Sequence, residues 1–211
     1  MSITVIIIII TVLVSITAFS NSKVMNDLIF YPPAVTSNNQ YYRFITSGFI
    51  HADYGHLLFN LLSFYFFGQF VEGAFQYIFG GSGKILYLLM YVMALVASLL
   101  PTYFKNKNNQ YYRSLGASGP VSAVIFAGIL LDPLNKIYLM LIPIGIPGFV
   151  FGPVYLLISA WVDKKGNDNI NHSAHIWGAL FGVAFLIVAG QLTGEYHAVP
   201  EFVDKLKGYF N

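Results

Sequence analysis

Ser118 lies in a sequence context that would help a serine act as a nucleophile. It belongs to the run LGASGP at residues 115–120, where an apolar helix is predicted to begin. A serine at a helix N-terminus has free backbone amides beside it, and these groups favour a developing oxyanion. The alternative interpretation is a small residue at a helix-packing contact. A second run of this type, GGSG at residues 80–83, is interpreted as a turn, so the motif alone decides little.

His175 is the candidate general base. A serine hydroxyl is a poor nucleophile until a base removes its proton, and histidine suits that role near neutral pH. His175, Gly178 and Gly182 share one face of a predicted helix, and the two glycines permit close backbone approach. The helix that begins at Ser118 has a matching face of small residues, namely Gly119, Ala123 and Ala127. Packing of the two faces would bring the Ser118 hydroxyl close to the His175 imidazole.

The sequence offers no obvious acidic third member for a triad. Asp168 is the acidic residue nearest to His175, but it is predicted to lie in a loop that also contains Lys164 and Lys165. We therefore expect a dyad of Ser118 and His175, with the loop residues Asn169–Asn171 orienting the imidazole indirectly.

His56 and Asn60 are candidate oxyanion donors. Their spacing of four places them on one helix face, and both side chains can donate hydrogen bonds. With no apparent partner in the sequence, both are expected to be hydrogen-bonded to water in the resting protein. The alternative is a metal site of His51, His56 and His175. The spacing of five between the first two is poor for one helix, and no carboxylate joins them, so we expect neither a metal nor another cofactor.

Membrane-spanning helices must position these residues. The chain has 211 residues, of which 56% are apolar and only 9% charged, whereas a soluble domain carries roughly 25% charged residues. Lipid is therefore the expected solvent, in one domain over residues 1–211. There is no cysteine and no basic stripe, which argues against disulfides and nucleic-acid binding.

Six segments approach the roughly 20 apolar residues that a membrane crossing needs. They are Ile3–Phe19, His56–Val71, Ile85–Phe104, Leu115–Leu131, Lys136–Val162 and His175–Gln191. The first lacks a basic flank and a cleavage site, so it is interpreted as a retained helix rather than a signal peptide. Pro143, Pro147 and Pro153 interrupt the fifth, whose true span is expected to begin near Gly148.

Six crossings place the candidate residues together. If successive helices alternate in direction, the second, fourth and sixth all begin at the same membrane face. His56, Ser118 and His175 stand at those three beginnings. The order of the segments thus predicts that all three lie at a similar depth on one side of the bilayer.

These motifs resemble the signatures of the rhomboid family of intramembrane serine proteases. The resemblance covers residues from Tyr42 to about Gly190. It is carried by GASG at residues 116–119, by AHxxGxxxG at residues 174–182, and by HxxxxHxxxN at residues 51–60. Tyr42-Arg43, Glu72 at the close of the second helix and GSGK at residues 81–84 extend it. It implies an all-α polytopic membrane protein with six transmembrane helices and a membrane-embedded first loop that contains a structural Arg43.

The resemblance also implies a function. Ser118 would be the nucleophile and His175 the base, then the acid. Oxyanion and substrate binding would involve His56, Asn60 and the Ser118 amide, with Gly116 and Gly119 around them. The expected activity is hydrolysis of a peptide bond in transmembrane-helix substrates, near the outer face of the plasma (inner) membrane. Residues Asp163–Ser173 would form a mobile cap over the active site.

Two features depart from the family pattern. Ser122 stands where some members carry an aromatic residue that packs on the catalytic histidine, so Trp177 or a residue of the first connector is expected to hold His175. With the family's orientation, four Lys or Arg residues fall inside and seven outside, contrary to the positive-inside rule. The shared face of the three motifs does not depend on that orientation.

Two other functions compete with the protease. A catalytically inactive relative that binds transmembrane helices would usually lack the serine or the histidine, and both are present. A small transporter or channel would carry ionisable residues along a path through the bilayer, and the predicted helices carry almost none.

Overall fold

The described part of the chain folds into helices and one small two-stranded sheet. A computed structural model describes residues 1–138, 144–166 and 170–211. The helices in these ranges are α1 Ile3–Ser20, α2 Ser22–Leu28, α3 Pro32–Asn38, α4 Arg43–Thr46, α5 Tyr54–Phe79, α6 Gly83–Asn106, α7 Ser118–Leu131, α8 Gly148–Lys165, α9 His172–Thr193 and α10 Ala198–Phe210. Strands β1 Lys136–Tyr138 and β2 Gly145–Pro147 pair antiparallel, with Ile137 opposite Ile146.

Three helical stretches of the described chain are long and apolar enough to cross a membrane. They are Ile3–Ser20, Tyr54–Asn106 and His172–Thr193. The second stretch is two helices rather than one, because the chain folds back at the 3₁₀ turn Gly80–Ser82 between α5 and α6. The ring centroids of Phe64 and Tyr91 consequently lie only 4.8 Å apart. The chain is thus a mostly helical integral membrane protein.

α7 lies at the centre of the helix packing. Twelve of its 14 residues are buried, and apolar residues lie on all sides of the helix, as expected of a helix surrounded by protein. Gly178 and Gly182 of α9 rest on the backbone of Gly119 and Ala123 respectively, so α7 and α9 run in parallel. The predicted packing of the two small-residue faces is confirmed.

α5 runs in the same direction as α7 and α9. The His56 ring packs on Gly116 just before α7, and Val71 packs on Gly128 near the other end of α7. The three helices that were predicted to begin at one face therefore begin at the same end of the bundle.

A buried carboxylate joins α1 to α5. Glu72 Oε1 accepts a hydrogen bond from the Ile3 amide at 2.8 Å, and Oε2 accepts from the Thr4 amide at 2.9 Å. The hydroxyls of Ser2 and Thr4 also donate to this carboxylate. The first amides of a helix lack partners within the helix, and a negative charge there is favourable. Glu72 therefore supplies from another helix the cap that α1 needs.

The first connector is ordered around Arg43. Its guanidinium is buried and donates to Gln40 Oε1 at 2.6 Å and to the carbonyls of Asn26 and Ile29 at 2.8 and 2.7 Å. Phe30, Val35 and Phe44 form a small apolar cluster beside it. The connector thus has its own core, which explains how a segment between two long helices can fold.

Several predicted boundaries are wrong. α5 continues to Phe79, so Glu72 lies inside the helix and does not close it. The fifth segment begins as the β1–β2 hairpin, so the fold is not purely helical. Its helix does begin at Gly148, as predicted, while Pro143 lies outside the described residues. The expected bounds of the loop Asp163–Ser173 are also wrong, because α8 extends to Lys165 and α9 starts at His172. The amphipathic helix α10 was not predicted.

The close approach of α7 and α9 generates a stability prediction. A Cβ added at Gly178 would lie well within 3.0 Å of the Gly119 carbonyl, whereas one added at Gly73 in α5 meets nothing within 4 Å. We expect Gly178→Ala to lower the free energy of unfolding by about 1–3 kcal/mol, because a backbone carbonyl has little room to move. The measurement is thermal unfolding in detergent.

Gly73→Ala is the matched control and should be neutral or stabilising by up to about 1 kcal/mol, since alanine favours helix more than glycine does. Equal unfolding temperatures for the two variants would show that the helices do not meet at Gly178.

Candidate active site

The structure brings Ser118 and His175 together. Ser118 is the first residue of α7, and His175 lies in the first turn of α9. Ser118 Oγ lies 2.7 Å from His175 Nε2, which is hydrogen-bond distance. Both side chains are half-buried. A hydroxyl and an imidazole at this distance can exchange a proton without any rearrangement of the helices.

The backbone before Ser118 is held in a tight conformation. Gly116 has φ +113°, which side-chain-bearing residues rarely adopt, and a Cβ there would meet the His56 ring at 2.7 Å. The Gly116 amide donates to the Ser47 carbonyl at 2.9 Å. Gly119 faces the other way, because its Cβ position meets the Ser98 side chain and the Ala174 carbonyl. Gly116 therefore shapes the loop beside His56, while Gly119 lets α7 approach α6 and α9.

His51 connects α1 to the loop that carries the serine. Its Nε2 accepts a hydrogen bond from the Ala117 amide at 3.4 Å, and its Nδ1 lies 3.0 Å from Ser15 Oγ. The Ser15 hydroxyl donates its one proton to the Phe49 carbonyl, so it must accept from Nδ1–H. The bonds thus fix the tautomer of a ring that is fully buried.

The electrostatic environment keeps His51 neutral. Burial lowers the pKa of His51 to about 3, the neighbouring His56 adds to that effect, and Asp53 opposes it. A neutral ring is what the Ala117 amide requires, since only an unprotonated Nε2 can accept its hydrogen bond. With both ring nitrogens engaged by protein groups, His51 has none left for the metal site considered above.

A cavity of about 820 Å³ opens beside Ser118 and His175. Its walls include Ser118 and His175 as well as His56, Asn60, Ser122 and Tyr155. The volume lies within the range of pockets that bind small ligands or short peptide segments. All four predicted polar residues therefore share one space that a substrate could enter.

Asn60 is not without a protein partner, contrary to expectation. It is only 7% exposed, and its Nδ2 donates to the His56 carbonyl one turn earlier at 3.0 Å. An amide nitrogen has two protons, so this bond occupies one of them. The bond fixes the side chain beside the cavity, and one proton stays available for another acceptor.

The start of α9 is anchored by Asn171. Its Oδ1 accepts from the Ala174 amide at 3.1 Å as an N-cap and from Thr102 Oγ1 of α6 at 3.1 Å. Asn171 thus fixes the first turn of α9, which carries His175, while the orientation of the imidazole by this loop stays a prediction. Asp168 and Asn169 lie outside the described residues.

The aromatic neighbour of His175 is a residue that sequence reasoning missed. The Tyr155 ring of α8 lies parallel to the imidazole, with centroids 6.5 Å apart and planes at 22°. Trp177, one of the two kinds of neighbour expected (the other being a residue of the first connector), is 47% exposed. Tyr155 follows Ser118 by 37 residues on a different helix, and no local pattern relates the two.

The arrangement defines a class: a helical membrane protein with a serine–histidine pair beside a cavity. A profile described as "Rhomboid domain" matches residues 38–192, which is most of the chain. The chain belongs to the rhomboid family. It is also similar to the RHOMBOID-like protein 12, mitochondrial, of Arabidopsis thaliana, with 31% identity over 143 residues. That match covers 64% of this chain and 42% of the relative, so the chain spans less than half the length of that protein.

The contacts of His51 lead to a second stability prediction. His51→Phe keeps a ring of similar size but leaves the buried Ala117 amide without its acceptor. An unsatisfied buried group costs about 1–3 kcal/mol, so we expect the midpoint of thermal unfolding to fall. His197→Phe is the matched control, since His197 is exposed and the chemical change is the same. Equal midpoints for both variants would contradict the inferred role of His51.

Proposed function

We propose that this chain is an intramembrane serine endopeptidase that uses Ser118 and His175 as a catalytic dyad. The observation that carries the proposal is the 2.7 Å separation of Ser118 Oγ and His175 Nε2 at the edge of a large cavity. Membership of the rhomboid family makes peptide-bond hydrolysis the reaction to expect. No cofactor is invoked.

The reaction would follow general acid–base and covalent catalysis. Ser118 Oγ attacks the carbonyl carbon of the scissile bond while its proton passes to His175 Nε2. The imidazolium then gives that proton to the departing amine, which leaves the acyl group of the substrate as an ester on Ser118. A water molecule next gives a proton to His175 and attacks the ester, and the imidazolium passes that proton to Ser118 Oγ as the acid leaves, which restores the hydroxyl.

His56, Asn60 and the Ser118 amide would stabilise the oxyanion. The two side chains line the same cavity as Ser118, and His56 packs against the loop that carries it. The Ser118 amide lies at the positive end of α7, where a developing negative charge is favourable.

The proposed membrane arrangement has six crossings, made by α1, α5, α6, α7, α8 and α9. The first connector, with Arg43 at its centre, would be embedded in the membrane, and residues 1–211 would form one domain. Substrates would be transmembrane helices cut at small residues near the outer face. The plasma (inner) membrane stays a prediction, and the name of the Arabidopsis relative places that protein in mitochondria.

The nucleophile prediction tests the enzyme directly. Ser118→Ala removes one hydroxyl at a site of small residues, so the fold should persist while cleavage falls by more than about 10³-fold. The measurement is cleavage of a transmembrane peptide by detergent-solubilised protein, together with labelling by a fluorophosphonate probe.

Ser82→Ala is the control, because Ser82 lies in an exposed turn within a similar glycine-rich run. It should cleave like the wild type. A wild-type protein that neither cleaves nor is labelled would instead favour the inactive helix-binding alternative. Substantial cleavage by Ser118→Ala would remove Ser118 from its proposed role, and loss of activity in the Ser82 variant would contradict the placement of Ser82 away from the site.

The oxyanion prediction concerns His56 and Asn60. Removing one donor of this kind typically lowers turnover by about 10²–10³-fold. His56→Ala and Asn60→Ala should therefore each lower kcat by about that factor with little change in KM, while keeping more activity than Ser118→Ala. Folded variants that both turn over at near the wild-type rate would assign the two residues a structural role only.

A further inference from the structure

Tyr155 occupies a place where it can hold the imidazole of His175. Their ring planes differ by only 22°, and the centroids lie 6.5 Å apart, within the range of favourable ring pairs. Tyr155 is half-buried and lines the same cavity as Ser118 and His175. An imidazole with such a ring on one side has less freedom to rotate about its side-chain bonds.

Tyr155 is itself fixed from several directions. The Phe151 ring lies parallel to it at 5.6 Å, and the Phe126 ring of α7 lies at 5.8 Å. Its hydroxyl interacts with the hydroxyls of Ser122 and Ser159, both of which are buried. Because these contacts limit the motion of the Tyr155 ring, that ring can limit the motion of the His175 imidazole.

The small side chain of Ser122 leaves room for the Tyr155 ring beside α7. Ser122 lies one turn after Ser118 on α7, and its hydroxyl meets the tip of the Tyr155 side chain. An aromatic side chain at residue 122 would need the space that Tyr155 fills. The space therefore holds one aromatic ring, from residue 122 or from residue 155, and in this chain the ring is that of Tyr155 on α8.

We propose that Tyr155 is a positioning residue that orients His175 toward Ser118, in the place of an aromatic side chain at residue 122. This inference rests on the proposed function for its effect on turnover, but the ring contact itself does not. Because the ring belongs to α8, the orientation of the base depends on a helix that contributes neither of the two proposed reacting groups.

Turnover of three variants tests the orienting role. Tyr155→Leu keeps apolar volume but removes the ring, and kcat should fall about tenfold, the effect expected for loss of one aromatic pair, with KM changed less than about twofold. Tyr155→Phe keeps the ring and should turn over at near the wild-type rate. Phe149→Leu is the matched control: it removes a ring of the same helix that contacts Tyr209 and Phe210 instead of the cavity, and kcat should fall less than about threefold.

A relocation variant separates orientation from general packing. Adding Ser122→Tyr to Tyr155→Leu returns a ring to the shared space from α7, and most of the lost kcat should return. If Tyr155→Leu keeps the wild-type kcat, or if Phe149→Leu loses as much, the proposal is wrong. Thermal unfolding of each variant identifies any loss that comes from misfolding, and in that case Tyr155→Phe and the relocation variant decide.

A measurement without catalysis keeps the two proposals distinguishable. In protein labelled with ¹³C-histidine, the His175 ring signal is assigned by its loss in His175→Gln. It should move in Tyr155→Leu through loss of the tyrosine ring current, and stay near its place in Tyr155→Phe. An unmoved signal overturns the positioning role. A protein that shows the shift but neither cleaves nor is labelled overturns the proposed function and leaves the ring contact established.

Discussion

The close approach of α7 and α9 is the constraint on which the site depends. Lipid tails are as apolar as the side chains they surround, so helices in a membrane gain little from apolar burial and associate through packing and hydrogen bonds. Gly178 and Gly182 allow the α9 backbone to rest directly on the carbonyls of Gly119 and Ala123. Contacts between two backbones tolerate little sliding or rotation. Ser118 lies at the start of α7 and His175 in the first turn of α9, so this rigid contact sets the distance of 2.7 Å between Ser118 Oγ and His175 Nε2.

Around that contact, buried polar groups act as links between helices and loops. A polar group in a lipid-surrounded interior is costly unless it is hydrogen-bonded, so each one must meet a partner in one particular arrangement. Glu72 receives the free amides at the start of α1, and Arg43 binds the carbonyls that end α2. His51 joins Ser15 of α1 to the Ala117 amide beside the serine. Together these hydrogen bonds fix the conformation of the loops, which the packing of apolar helices alone does not determine.

The sequence predicts the meeting of Ser118 and His175 better than the surroundings of the two residues, and the reason is physical. Ser118, His175 and the glycine face of α9 are marked by local spacing, which a helix converts directly into a shared face. No local spacing indicates the end of α5. A charged residue such as Glu72 suggests the end of a membrane helix until its hydrogen-bond partners at Ser2–Thr4 are known. The β1–β2 hairpin and α10 are similarly short or weakly apolar, so a search for membrane spans passes over them. Tyr155 was missed because an aromatic contact between two helices has no sequence period.

The pair of Ser122 and Tyr155 shows why a support is harder to infer than a reacting group. A nucleophile and its base must have particular atoms at a particular distance, so few residue types can serve. A ring that limits the motion of an imidazole need only fill a certain volume, and that volume beside His175 can be reached from α7 or from α8. α8 comes close enough because Gly148 and Gly152 pack against Ile129 and Phe126 of α7 with no side chain between them. The small residues of α8 thus make possible the contact between the Tyr155 ring and the His175 imidazole.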